Sequence, residues 1–198
     1  MFLNRFSLIP YLPAFLIAAF FSFFARNVVA ADSTQQWIVV GTFDGADSPS
    51  GSFREAVAID LDSEGNVYIV DRGLNRLLKF SPQGIFKNEI GGYGRGTESF
   101  NDPRDVDAHL TLNIFVADYN NNRIVRFDKN LNYLSDFRPD PDSPYYFEMP
   151  LSVRVSSQYD MFILEDLNKR VIKFNRFNQP QVAFGNAADN LGQLLGPC

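Results

Sequence analysis

Short runs of β-branched and aromatic residues, each closed by turn-forming residues, set the pattern of the chain beyond Phe53. In the first stretch the runs are Val57-Ala58-Ile59, Val67-Tyr68-Ile69-Val70, Leu77-Leu78-Lys79-Phe80 and residues 85–90. The intervening segments, 60–66, 71–75, 81–84 and 91–96, are rich in Asp, Asn, Gly, Ser and Pro. Apolar runs of this length between residues that tolerate positive φ predict antiparallel hairpins. Nothing between them has the length or the 3.6-residue period of a crossover helix. The pattern returns at 106–108, 114–117, 124–127 and 133–137, then at 153–155, 161–164, 171–174 and 182–184.

The landmarks recur at one interval. Phe53, Phe100 and Phe147 are 47 residues apart, with Leu194 next in the series. Ala56, Pro103, Pro150 and Pro197 keep the same step, as do Phe80, Phe127 and Phe174. A fixed period of this size marks stacked units, none of which buries its apolar face alone. Four strands per unit match the blade of a β-propeller. Units are therefore expected at 53–99, 100–146 and 147–193, with a fourth opening at 194. The recurring Phe residues are expected to pack between blades.

Two ionic positions share the period: Asp71, Asp118 and Glu165, then Arg76, Arg123 and Arg170. Each acid closes a second strand and each arginine opens a third, so the pair flanks one hairpin turn. The acid can accept turn amides, and the guanidinium can donate to carbonyls or to the acid. Because the pair repeats in every unit, a structural role is expected; an active site is needed once.

The stretches Gly65-Asn66-Val67-Tyr68-Ile69-Val70-Asp71-Arg72-Gly73-Leu74-Asn75-Arg76 and Ile114-Phe115-Val116-Ala117-Asp118-Tyr119-Asn120-Asn121-Asn122-Arg123-Ile124 resemble the NHL repeat, over residues 53–197. The resemblance implies an all-β propeller, usually of six blades, whose faces serve as docking surfaces. Ala56 replaces the proline of the pattern in unit one and Glu165 the aspartate in unit three. Three units are half of such a ring. A longer propeller, or two copies pairing into a closed homodimer, would cover the outer faces. Residues 37–43 are expected to supply the outer strand and linker of a preceding blade.

The first 30 residues read as a secretory signal: Arg5, an apolar stretch over 6–25, then small residues around Ala30 and Ala31. Export to a secreted or periplasmic location follows, with residues 31–52 as an N-terminal strand and linker. A retained 6–25 segment would anchor the chain in a membrane instead. Cleavage removes Arg5 and Arg26, leaving 16 basic against 23 acidic side chains and a net charge of −7. That balance repels phosphate backbones, so no nucleic acid is expected as partner. Cys198 is the only cysteine, so the fold holds by packing without internal disulfides.

Catalytic signals are weak. His109 is the only histidine, which excludes a histidine-rich metal centre built from this chain, and it is expected to be a solvated loop residue. Asp60, Asp62, Glu64 and Asp71 imitate calcium-loop spacing, but they join two strands, so a plain hairpin turn is expected. The glycines of 91–96 open no helix and read as a blade linker. No catalytic residue, metal or cofactor is assigned. What remains is a docking surface for a protein or small extracellular ligand, with Arg54, Arg72, Arg95, Arg104, Tyr119 and Asn120 as candidate contacts beside Glu55, Asn101, Asp102 and Tyr146.

Overall fold

A computed structural model describes residues 42–185. The stretch read as a secretory signal, most of the 37–43 segment and the expected opening of a fourth unit lie outside the described residues. Among those described, no helix is long and apolar enough to cross a membrane.

Twelve strands form three four-stranded antiparallel sheets, each a simple meander in chain order. Sheet 1 holds β1 (Ala56–Leu61), β2 (Val67–Asp71), β3 (Arg76–Phe80) and β4 (Phe86–Gly91). Sheet 2 holds β5 (Pro103–Asp107), β6 (Asn113–Asp118), β7 (Arg123–Asp128) and β8 (Tyr133–Phe137). Sheet 3 holds β9 (Pro150–Val155), β10 (Met161–Glu165), β11 (Arg170–Phe174) and β12 (Pro180–Phe184). All twelve expected runs fall on strands. Strand bounds differ most at β5 and β9, which begin three residues early at Pro103 and Pro150. Proline is tolerated as the first residue of a strand, where its missing N–H removes no ladder bond. Single 3-10 turns, Arg72–Leu74 and Tyr119–Asn121, join the second strand to the third in sheets 1 and 2.

The sheets stack face to face, with β1 lying against β5 and β5 against β9. Between sheets 1 and 2 the core joins Tyr68, Val70 and Leu77 to Phe100, Val106, Ile114, Val116 and Phe127. Between sheets 2 and 3 it joins Ala117 and Ile124 to Phe147, Val153, Ile163, Ile172 and Phe174. The recurring aromatics fill these seams as expected: Phe100 meets Phe127 at 5.9 Å between ring centres, and Phe147 meets Phe174 at 6.3 Å. Phe137 of sheet 2 crosses to Phe174 of sheet 3 at 4.9 Å.

Carboxylates on the first strands clasp neighbouring sheets. Asp60 accepts the Ala108 amide at 2.7 Å, and its repeat equivalent Asp107 accepts that of Val155 at 2.6 Å. Asp107 also holds the His109 ring at 2.6 Å. His109 lies in the turn after β5 and is exposed, as expected for a solvated loop residue, with its ring tethered to this clasp. Asp62 instead organises its own turn through the amides of Glu64 and Asn66. The carboxylates of the calcium-like spacing therefore go to separate partners, and no group of three or more metal-ligating side chains occurs among the described residues.

Each first strand carries a bulge at the same repeat position. The register shifts at Val57 between Ala56 and Ala58, at Arg104 between Pro103 and Asp105, and at Leu151 opposite Leu164 and Glu165. A bulge re-aims one side chain out of the alternating pattern. At Arg104 this has consequences for the exposed face.

Candidate functional site

The acid–arginine pairs organise one end of every sheet. Arg76 Nε donates to Asp71 at 3.0 Å, Arg123 Nε to Asp118 at 2.7 Å and Arg170 Nε to Glu165 at 2.9 Å. Further guanidinium hydrogens go to carbonyls of the segment entering the sheet, Gly51 and Ser52, Gly96 and Ser99, Pro144 and Tyr146, while Arg76 Nη1 also donates to Ser48 and Glu89 and Arg123 Nη1 to Asp136. All six charged side chains are buried. Asp71 accepts the amides of Arg54 and Glu55, and Asp118 that of Asn101. These amides belong to the incoming segment and not to the hairpin turn, which corrects the expected use of the acids. Glu165, one methylene longer, does reach its own turn at the Asn168 amide. Burial pushes the Asp118 carboxyl upward, against the pull of Asn101, Asn121 and Arg123. The pairs are structural anchors that fix where the turns sit.

On the turns so fixed, a line of alternating charge crosses all three sheets. Glu55 pairs with Arg72, and Arg72 faces Asp102 at 3.6 Å. Asp102 accepts from Arg104 at 2.7 Å, and the Arg104 guanidinium lies over the Tyr119 ring at 4.6 Å. Tyr119 donates its phenol hydrogen to Asp166 at 2.6 Å, and Asp166 pairs with Lys169. The bulge at Arg104 is what lifts this strand residue onto the face. Bonding to Asp166 raises the Tyr119 phenol, with burial adding to it. Lys169, followed by Tyr119, lowers the Asp166 carboxyl. Arg104 Nε is buried and has no acceptor.

Backbone geometry supports the line. Asn75, Asn122 and Lys169 are repeat equivalents, all left-handed with φ of 53°, 51° and 53°. The Asn75 side chain accepts the Asp102 amide at 2.8 Å, and Asn122 that of Met149 at 3.0 Å. Each asparagine thereby ties its turn to the next sheet. Gly73 leaves room for Arg54, since a Cβ there would meet the Arg54 side chain at 2.9 Å.

The six sequence candidates thus divide. Arg72, Arg104 and Tyr119 join in the charged line. Asn120 and Arg95 line a separate open cleft with Arg138 and Tyr146. Arg54 is exposed and packs over the 72–75 turn. Sequence reasoning missed Asp166 and Lys169, although Asp166 lies 47 residues after the candidate Tyr119. It also missed Arg138, whose place nothing in the repeat marks. Every acid of the line is engaged by a cation or a phenol, an arrangement suited to recognition by shape and hydrogen bonding.

No family model matches the chain, and no curated protein matches it significantly in sequence. Solved structures do match in fold. A catalytically inactive variant of virginiamycin B lyase from Staphylococcus aureus, solved with quinupristin, superposes with a TM-score of 0.51 at 17% identity. That match covers 69% of this chain and 43% of the lyase. A streptogramin B lyase gives 0.50 at 16% identity, over 68% of this chain and 41% of its own. Hydrazine synthase from Kuenenia stuttgartiensis gives 0.52 at 6% identity, over 75% and 39%. The chain therefore spans less than half the length of these structures. With its three consecutive four-stranded sheets, the likeness shows an all-β fold of propeller type.

Proposed function

We propose that the protein is an exported NHL-type propeller acting as a non-enzymatic scaffold, which takes a protein or small extracellular ligand on the face crossed by the charged line. One observation carries this reading: adjacent repeat positions behave in opposite ways. Positions 71, 118 and 165 keep an acid, and 76, 123 and 170 keep arginine, in every sheet. One residue along, positions 72, 119 and 166 run arginine, tyrosine, aspartate. Positions 55, 102 and 149 run glutamate, aspartate, methionine. Holding three sheets alike needs repetition, whereas matching one asymmetric partner needs variation. Arginine and tyrosine are also favoured anchors in protein interfaces. The line balances its acids against its bases, so it offers no long-range pull on phosphate.

Ring completion by a second copy belongs to the same reading. Val106 and Ala108 of sheet 2, and Val153 and Val155 of sheet 3, are buried by the preceding sheet. Their equivalents in sheet 1, Ile59 and Leu61, are 62% and 53% exposed. Such a face invites a partner sheet.

The presence of lyases among the similar folds favours one alternative, an extracytoplasmic propeller enzyme whose catalytic groups lie outside residues 53–198. Immobilised protein should retain a discrete extracytoplasmic partner, and the Arg104→Ala/Tyr119→Ala double variant should lose it with circular dichroism unchanged. Turnover of quinupristin by a longer form carrying further blades would replace the scaffold reading with the enzymatic one.

A further inference from the structure

At the end of the sheets opposite the charged line, the turn from third to fourth strand reaches toward the preceding sheet. In sheet 2 this turn seals the seam with sheet 1. Leu131 is 3% exposed and belongs to the core of that seam with Tyr68, Leu77 and Ile114. Two residues before it, the Lys129 carbonyl accepts from Lys79 Nζ of sheet 1 at 2.7 Å. One turn thus supplies both an aliphatic plug and an oxygen for the cation beneath it.

The seam between sheets 2 and 3 lacks both. Asn178 takes the repeat position of Leu131 and is exposed, although the two residues share a left-handed backbone at φ 60° and 66°. Arg126 takes the position of Lys79. Its Nε donates to Asn113 at 2.8 Å, and its Nη groups meet no acceptor among the described residues. What is left is a pocket of about 150 Å³ with an apolar floor of Phe115, Ile124, Phe137, Val155 and Met161. Arg126 and Arg176 stand in its polar lining. Arg176 lies over the Phe177 ring at 4.8 Å and has no hydrogen bond or ion pair among the described residues. Asp136 is the one acid of the lining, and Arg123 and Arg138 hold its carboxylate at 3.3 and 3.0 Å.

We infer that this pocket takes the C-terminal residue of a partner peptide, its leucine-like side chain on the floor and its carboxylate on Arg126 and Arg176. The filled seam is the template: a peptide segment occupies it, offering an aliphatic side chain and a nearby oxygen. Lys79 is satisfied by a neutral carbonyl, whereas two guanidinia without an acid of their own favour a charged oxygen. An apolar cavity of about 150 Å³ holds a molecule the size of benzene, which an isobutyl group does not exceed. An uncharged apolar molecule would gain nothing from the guanidinia, and an inorganic anion nothing from the floor. The site is independent of docking on the charged line.

Titration of the ¹⁵N-labelled protein with an acetylated tripeptide acid ending in leucine tests the assignment. The comparison ligands are its C-terminal amide, the same peptide ending in glycine, 4-methylpentanoate and inorganic phosphate. The leucine acid should shift the amides of Phe115, Met161 and Asn178 progressively. The amide and the glycine peptide should bind about tenfold more weakly or worse, for want of the charge and of the buried side chain respectively. Asn178→Leu should abolish binding with circular dichroism unchanged, since leucine already holds this conformation at position 131. Arg126→Gln should weaken binding by about tenfold. Lys129→Ala, the matching change to Arg176 in the filled seam, should leave it as it was. Equal binding of the amide, of phosphate or of 4-methylpentanoate, undiminished binding in Asn178→Leu or Arg126→Gln, or no response to the leucine acid would overturn it.

Discussion

Tyr119 and Asp166 occupy the same position of successive repeats, and the first donates its phenol hydrogen to the second across 2.6 Å. Equivalent positions thus meet edge to edge at a sheet boundary, with different chemistry on each side. The bond makes the exposed face continuous from sheet 2 to sheet 3.

The Tyr119 phenol should ionise above the ordinary tyrosine range, because Asp166 favours its protonated form. A raised group contributes stability below its unfolded value, about 10, and loses that contribution as pH rises through the folded one. Absorbance titration near 295 nm should show Tyr119 among the late-ionising tyrosines, beside Tyr68 and Tyr146, and one fewer of them in Asp166→Asn. Unchanged titration in that variant would refute the bond.

Acid acts on the other end of the same contact. Asp166 is lowered by Lys169 and Tyr119, so its contribution is complete above the unfolded carboxyl value of about 3.9 and is lost as pH falls through the lower folded value. Carboxyl NMR titration should place Asp166 below ordinary aspartates, and Lys169→Ala should raise it.

Buried and exposed arginines should separate sharply in stability. Arg123→Ala leaves Asp118 buried without its cation and frees the Gly96 and Ser99 carbonyls, at an expected cost of about 3–5 kcal/mol. Arg72→Ala removes a partly exposed pair and should cost at most about 1 kcal/mol. Urea denaturation of the two variants measures the difference.

The left-handed turn positions predict changes of opposite sign. Asn122→Ala strains a residue at φ 51° and loses the bond to the Met149 amide, together about 2 kcal/mol. Lys169 holds the same conformation without asparagine's tolerance for it, so Lys169→Asn should stabilise by about 0.5–1 kcal/mol. Thermal unfolding should move down for the first and up for the second.

If a second copy covers sheet 1, light scattering should find a dimer that Ile59→Asp converts to monomer. Wild-type protein that is monomeric at high concentration would remove ring completion from the proposed function.

The strands and the buried acid–arginine pairs were legible in the chain because both obey short-range or periodic rules. Side-chain alternation and turn chemistry act locally, and a step of 47 residues multiplies one weak signal by three. The same arithmetic points to Asp166 once Tyr119 is singled out. Tertiary structure alone decided that Asp71 and Asp118 serve the incoming segment, since Arg54, Glu55 and Asn101 reach them only after the sheet has folded back. It alone brought Arg104 over Tyr119, through a bulge that no residue type announces. It alone joined Arg138 to Asn121 at the cleft, because those residues belong to a linker and a turn that the repeat does not relate. Periodicity fixes what each unit has in common; contacts between units depend on where they differ, and that is settled in space.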